Sequence, residues 1–82
     1  MIWTIEWGAV ARRDLMNLPW RAAERLDAAI IRFAETNRGP VTRLYAADPR
    51  RLVLTVTNAV AYLHADERTG VLFVGRVFRR AT

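Results

Sequence analysis

Arginine is the residue type in this sequence with the clearest capacity for chemistry. All 13 basic residues are arginine, none is lysine, and the formal net charge is +5. The planar guanidinium group stays charged and can grip phosphate or carboxylate oxygens through two parallel hydrogen bonds. An anionic partner is therefore predicted, either nucleic acid or an acidic protein segment, and the alternative is that these arginines are solvated strand ends.

The positive charge is concentrated in the second half of the chain. Residues 1–36 hold five arginines and five acidic residues, whereas residues 37–82 hold eight arginines and three acidic residues. The arginines that bracket the C-terminal strands are Arg50, Arg51, Arg76, Arg79 and Arg80.

Few other side chains could carry out catalysis. His64 is the sole histidine, and the sequence contains no serine and no cysteine, so a nucleophile–histidine triad is excluded. His64 could act as a general base, although it falls at the end of a predicted strand. Tyr45 and Tyr62 could assist proton transfer or stack a nucleobase, but packing of a strand tyrosine against its neighbours is the simpler interpretation. Ligand spacing for a metal is absent, and we expect neither a metal nor a cofactor.

The element that must position the arginines is a run of three antiparallel strands over residues 51–80. Apolar and β-branched residues alternate there with period two between polar turns, which is typical of a β-meander. A loop is expected before it over residues 46–50, and a tight turn inside it at Thr57-Asn58. In the last strand, alternation places Phe78 on the side of Leu72 and Val74. We expect one side of this alternation to form an uncovered apolar stripe that binds a protein partner. The stripe residues are Leu52, Leu54, Val56, Ala59, Ala61 and Leu63.

The preceding residues predict a strand and two helices. Alternation over residues 2–7 indicates the strand, and helical periodicity then covers residues 9–18 and 19–36, with Pro19 opening the second helix and Gly39 ending it. Trp3, Trp7 and Trp20 are expected in the core. The predicted fold is α+β: one domain over residues 1–82 with an N-terminal strand, a helical hairpin and a three-stranded antiparallel meander, the helices lying on one sheet face.

Nothing in the sequence predicts export or membrane insertion. No apolar run approaches the length of a membrane span, and the first residues lack the basic and apolar regions of a signal peptide. We therefore expect a cytoplasmic protein.

In this order of elements the chain resembles the RelE/ParE superfamily of toxins from bacterial toxin–antitoxin pairs. The similarity covers nearly the whole chain. It rests on the alternating strand WTIEW at 3–7, Asp14-Leu15, and the Leu18-Pro19 junction between the helices. It continues through the strands at 52–56 and 59–62, the acidic pair at 66–67, and the ending RVFRR at 76–80.

The resemblance implies a toxin subunit of a type II pair, with growth inhibition and plasmid stabilisation as its roles. Members similar to ParE poison DNA gyrase, whereas members similar to RelE cut mRNA on the ribosome with basic residues of the open sheet face. Here Ala59 stands where the nuclease pattern has an arginine, and the sequence ends at Thr82 before a terminal tyrosine. We therefore favour gyrase inhibition slightly, and leave open whether the protein is an enzyme.

Two alternatives remain at this point. One is a ribosome-dependent endoribonuclease that uses Arg51, Arg76, Arg79 and Arg80 to hold phosphate, and the other is a degenerate binding module without toxicity. In each case the resemblance implies a cognate antitoxin as partner, which we expect on the apolar stripe and its arginine rim. A homodimer or a toxin–antitoxin hetero-oligomer is expected.

Overall fold

The computed structural model describes residues 2–80, which form two α-helices and one five-stranded sheet. In chain order the elements are β1 (Thr4–Trp7), α1 (Ala9–Met16), α2 (Trp20–Thr36), β2 (Val41–Tyr45), β3 (Asp48–Val56), β4 (Ala59–Asp66) and β5 (Val71–Arg79). The strand order across the sheet is β1-β5-β4-β3-β2. The fold is α+β with the helices packed on one face, as predicted.

The sheet is larger than the predicted meander, and it is mixed. β2 pairs antiparallel with β3, so the meander has four strands, and β1 adds to β5 in parallel. The prediction of a loop over residues 46–50 was wrong because Asp48 and Pro49 belong to β3. Pro49 is tolerated there because the pairing of β3 with β4 begins only at Arg51, so the missing proline N–H breaks no bond of that ladder.

Asparagines form two of the tight reversals. Asn58 has φ 69° in the turn between β3 and β4, which confirms the turn predicted at Thr57-Asn58. At the end of α2 the left-handed residue is Asn37, with φ 59°, two positions before the predicted Gly39. Asparagine tolerates this region better than other non-glycine residues, because its short polar side chain can hydrogen-bond locally.

The core lies between α2 and the sheet. Helix α2 buries a stripe of Ala22, Leu26, Ile30, Phe33 and Ala34, and Trp3 joins it as predicted. Trp7 packs partly buried against the core. Trp20, however, is 69% exposed, so its predicted place in the core was wrong. It is the first residue of α2, and the buried stripe of that helix starts only at Ala22.

The structure reverses the predicted faces of the sheet. The stripe expected to be open is the helix-covered face: Leu54, Ala59 and Ala61 are fully buried and Leu63 nearly so. Leu52 and Val56 are partly buried against the same core. The alanines on this side of β4 allow α2 to approach closely, whereas Tyr62 and His64 point to the other side. A surface for a partner can therefore not be formed by these six residues.

No helix in residues 2–80 combines the length and apolar character needed to cross a membrane.

Candidate functional site on the open sheet face

The face of the sheet away from the helices, here called the open face, carries three cross-strand rows of side chains. On β3, β4 and β5 in turn, the rows are Arg51–His64–Phe73, Val53–Tyr62–Arg76 and Thr55–Val60–Phe78. Cationic, aromatic and imidazole side chains are thus interleaved on one surface. These side chains can bind anions and transfer protons, which the apolar stripe predicted to be exposed could not do.

A β-bulge at Gly75 determines which residues of β5 reach this face. Tyr62 pairs with Arg76 but the next residue, Leu63, pairs with Val74, so Gly75 is the extra residue on β5. Such an insertion reverses the side-chain alternation beyond it. The sequence had placed Phe78 on the side of Leu72 and Val74, and this was wrong because strict alternation ignores the bulge. Beyond Gly75, Val77 points into the core and Arg76 and Phe78 point outward.

A depression of about 370 Å³ occupies the first two rows of the open face. Arg51 and Arg76 lie at its sides, two strands apart, a separation of roughly 10 Å across the sheet. The other residues that line the depression are Leu44, Tyr62, Leu63, His64, Phe73 and Gly75. Two cations, one imidazole and two aromatic rings therefore surround a space that fits part of an extended chain.

Aromatic side chains make the open face suitable for stacking. Tyr62, Phe73 and Phe78 are each between 37% and 39% exposed. The rings of Tyr62 and Phe78 meet edge to face with their centroids 5.2 Å apart, and the Arg76 guanidinium lies 4.8 Å from the Phe78 centroid. Interleaved aromatic rings and arginines are typical of surfaces that bind single-stranded nucleic acid.

Both arginines of the depression have an acidic neighbour. Arg76 Nε donates to Asp14 Oδ2 at 2.8 Å, and this bond raises the pKa of Arg76. At the other side, Arg51 Nε lies 3.7 Å from Asp48 Oδ2. The pKa of Asp48 is lowered, first by the hydrogen bond that its carboxylate accepts from the amide of Arg50. Both carboxylates are therefore negatively charged at neutral pH, and they orient the arginines without covering them.

The structure divides the predicted arginine set. Arg51 and Arg76 line one depression, but Arg79 and Arg80 do not. Arg79 pairs with Ala59, and Ala59 pairs with Val56. Val56 is five residues from Arg51 on β3, so Arg79 lies roughly 17 Å from Arg51 in the direction of the strands. Ala59 is in the core, so that position contributes nothing to the open face.

The sequence interpretation undervalued three residues. His64, Tyr62 and Phe73 line the depression, whereas His64 was expected at an unremarkable strand end. A signal was present in β4, where Tyr62 and His64 alternate with Ala61, Leu63 and Ala65. Alanines suit the side on which a helix packs closely, so the larger polar and aromatic residues belong on the uncovered side.

Other features of residues 2–80 compete weakly with this site. A cavity of about 520 Å³ lies at the end of α2, lined among others by Trp3, Asn37, Arg38 and Arg50. It brings together no histidine or tyrosine. Within the same residues, no cluster of three or more histidine, aspartate or glutamate side chains is arranged to hold a metal ion.

Comparisons with known proteins identify the fold. No protein-family model matches the sequence, and neither does any curated protein. The structure superimposes on the RelBE2 toxin–antitoxin complex of Mycobacterium tuberculosis with a TM-score of 0.82 and 17% identity, covering 98% of this chain and 100% of that one. For the isolated Escherichia coli RelE toxin the TM-score is 0.80 at 13% identity, over 98% and 86% of the two chains.

An archaeal protein gives the same result. The RelB–RelE antitoxin–toxin complex of Methanococcus jannaschii matches with a TM-score of 0.71 and 14% identity, over 90% of this chain and 88% of that one. The fold is therefore that of the RelE toxins, within the superfamily that the sequence resembles. The neighbours described here are RelE proteins.

Proposed function

We propose that this chain is the toxin subunit of a type II toxin–antitoxin pair and that it cleaves mRNA on the ribosome through its open face. The observation that carries the proposal is the depression flanked by Arg51 and Arg76 and lined by His64, Tyr62 and Phe73. The RelE fold supports the same class of activity. Gyrase inhibition, slightly favoured from the sequence, is the weaker interpretation, because the structural neighbours described above are RelE proteins.

The residues of the depression match the requirements of RNA cleavage. The 2′-oxygen attacks the adjacent phosphorus, the bond from phosphorus to the 5′-oxygen breaks, and the products are a 2′,3′-cyclic phosphate and a free 5′-hydroxyl. We assign His64 the removal of the 2′-hydroxyl proton, because an imidazole nitrogen can act as a general base. The leaving 5′-oxygen takes a proton from Tyr62 or from water.

The two arginines supply charge stabilisation. Negative charge accumulates on the phosphate oxygens in the transition state, and cations already in place stabilise it without further rearrangement. Arg51 and Arg76 flank the space from opposite sides, so an RNA strand crossing the depression places its phosphate between them. Tyr62 and Phe73 stack the neighbouring bases.

The proposal includes a cognate antitoxin. Solved neighbours carry RelB antitoxins in their complexes, and the net charge of +5 suits an acidic partner segment. The apolar stripe that the sequence suggested is buried, so we place the contact on the open face. Val53, Val60 and Phe78 offer apolar contacts there, and the arginines offer charge. Antitoxin bound in this way excludes RNA from the depression.

Purified protein added to ribosomes programmed with a defined mRNA tests the activity. We expect cleavage that falls by at least tenfold in Arg51→Ala and His64→Ala, while Arg32→Ala, which removes the same charge from an exposed position of α2, cleaves normally. A mRNA that stays intact with the unmodified protein contradicts the proposal.

Induced expression in cells separates the alternatives. Growth arrest with cut transcripts supports the nuclease. Arrest with intact transcripts and disturbed plasmid supercoiling supports gyrase inhibition instead, and growth without arrest leaves only a binding module.

A further inference from the structure

The guanidinium of Arg76 is held from outside the sheet by a residue of α1. Asp14 Oδ2 accepts two hydrogen bonds, one of 2.8 Å from Arg76 Nε and one of 3.0 Å from the amide of Val77. The two donors are 62 and 63 residues away in sequence. One carboxylate oxygen thus fixes both the side chain of Arg76 and the backbone that follows it.

The position of this contact follows from the topology. β1 pairs with β5 only over Val71–Val74, so the rest of β5 has no strand on that side. Helix α1 lies beside this free edge, and Asp14 takes the place of a strand by accepting the Val77 N–H. The bulge at Gly75 then turns Arg76 onto the open face directly beside the edge.

The bond to Asp14 uses only one of the three guanidinium nitrogens. Within residues 2–80, the terminal Nη1 and Nη2 amino groups make no hydrogen bond. The Phe78 ring supports the flat face of the group at 4.8 Å, and about half of the side chain remains exposed. Arg76 is therefore restrained at Nε and on one face, while its two terminal amino groups stay available in the depression.

We infer that Asp14 is a positioning residue for the proposed cleavage: it holds Arg76 so that its terminal amino groups meet the scissile phosphate. This inference rests on the proposed function. An arginine fixed before binding loses less rotational freedom when it contacts phosphate, and it stabilises developing charge without rearranging. The lowered pKa of Asp14 keeps the carboxylate charged throughout the neutral range.

Two other roles for Asp14 make different predictions. If the carboxylate masks the positive charge of Arg76, its removal strengthens RNA binding and speeds cleavage. If it only caps the strand edge, its removal lowers stability but leaves the activity of the folded protein unchanged. Positioning predicts slower cleavage by the folded protein, beyond any loss of stability, together with a loss of order in the Arg76 side chain.

The test compares Asp14→Ala, Asp14→Asn and Arg76→Ala by single-turnover cleavage on programmed ribosomes and by affinity for a fluorescein-labelled six-nucleotide single-stranded RNA. We expect Asp14→Ala to cut the rate at least tenfold. Asp14→Asn keeps an acceptor oxygen and should retain most of the rate. Glu35→Ala, which removes a negative charge from an exposed position of α2, should cleave at the unmodified rate. The Asp14→Ala/Arg76→Ala double variant should be no slower than Arg76→Ala alone.

A spectroscopic measurement follows the position itself. The Nε–H resonance of Arg76 should be resolved and protected from solvent exchange in the ¹⁵N-labelled protein, and it should be lost in Asp14→Ala. Arg76→Lys keeps the charge at an exposed site. The lysine ammonium, however, lacks the planar guanidinium that donates to Asp14 from one nitrogen and to phosphate from the other two. It should therefore be as slow as Arg76→Ala.

The outcomes separate this inference from the proposed function. Faster cleavage or tighter RNA binding by Asp14→Ala overturns positioning in favour of masking, and full activity of Asp14→Ala or Arg76→Lys overturns it in favour of a structural role. If Arg76→Ala and Arg51→Ala both cleave normally, the proposed site itself is wrong.

Discussion

Arg51 of β3 lies directly opposite His64 of β4, on the face of the sheet that the helices leave uncovered. Neighbouring strands are about 5 Å apart, so a cation and the only imidazole of the chain share one end of the depression. Each was ambiguous by itself: an arginine that opens a strand is usually solvated, and a lone histidine usually has no catalytic role. Their register makes them candidates for one reaction.

The first prediction concerns the charge of Arg51. Arg51→Ala should weaken binding of a short single-stranded RNA and reduce the dependence of log affinity on log salt concentration by about 0.7, as expected when one phosphate contact is lost. Affinity measured by fluorescence anisotropy across a salt series checks this. The control Arg32→Ala, with the same change in net charge on α2, should leave the slope unchanged. Equal slopes in all three proteins would show that Arg51 contacts no phosphate.

The second prediction tests which face of the sheet is buried. Leu54 is fully buried, so Leu54→Ala should lower the free energy of unfolding by about 2–5 kcal/mol, and Leu54→Asp should prevent folding because its charge has no partner in the core. Thr55→Asp, the next residue on the open face, should fold but bind RNA less well. Urea unfolding followed by circular dichroism measures these effects. A folded Leu54→Asp protein would mean that the faces are assigned incorrectly.

The third prediction concerns the contact that joins the N-terminus to the end of α2. Trp3 Nε1 donates to Asn37 Oδ1 at 3.0 Å, and Asn37 has a left-handed backbone. Asn37→Gly removes only the hydrogen bond and should cost about 1 kcal/mol of unfolding free energy. Asn37→Ala adds backbone strain and should cost about 1–2 kcal/mol more. Chemical denaturation resolves this difference. If the glycine variant were less stable than the alanine variant, the left-handed geometry of Asn37 would be contradicted.

The fourth prediction concerns acid stability. The pKa of Asp14 lies below its ordinary value of 3.8, first because Arg76 donates to its carboxylate and then because the Val77 amide does so. The unfolded state therefore binds this proton more readily. The stabilisation is complete above pH 3.8 and is lost as the pH falls through the lowered pKa of the folded state.

Thermal unfolding across this pH range provides the measurement. The melting temperature of the unmodified protein should fall more steeply with acidification than that of Asp14→Asn, which has no carboxyl group to protonate. Asp48 also has a lowered pKa, so the variant should keep part of the dependence, and Asp14→Asn/Asp48→Asn should lose more of it. Parallel curves for all these proteins would show that neither carboxylate is specifically stabilised by folding.

Local patterns in the sequence were enough to locate most elements of this protein and the excess of its charge. Periodicity alone placed both helices, three strands of the meander and β1, and Asn58 marked its turn without further information. These signals are local, since propensity, periodicity and turn chemistry act over a few neighbouring residues. The excess of arginine in the sheet half was also visible, because charge can be counted without knowing the fold.

The faces of the sheet, its edges and the candidate site depend on contacts between distant parts of the chain. Alternation in a strand defines two sides but does not show which side a helix covers. Once α2 covers one side, Leu54 lies in the core instead of on the surface, and His64 lines the depression. The bulge at Gly75 depends on how β5 pairs with β4. The contact of Asp14 with Arg76 depends on the same pairing and joins residues more than 60 positions apart. Such relationships arise from contacts between distant segments, and only the packed chain brings them together.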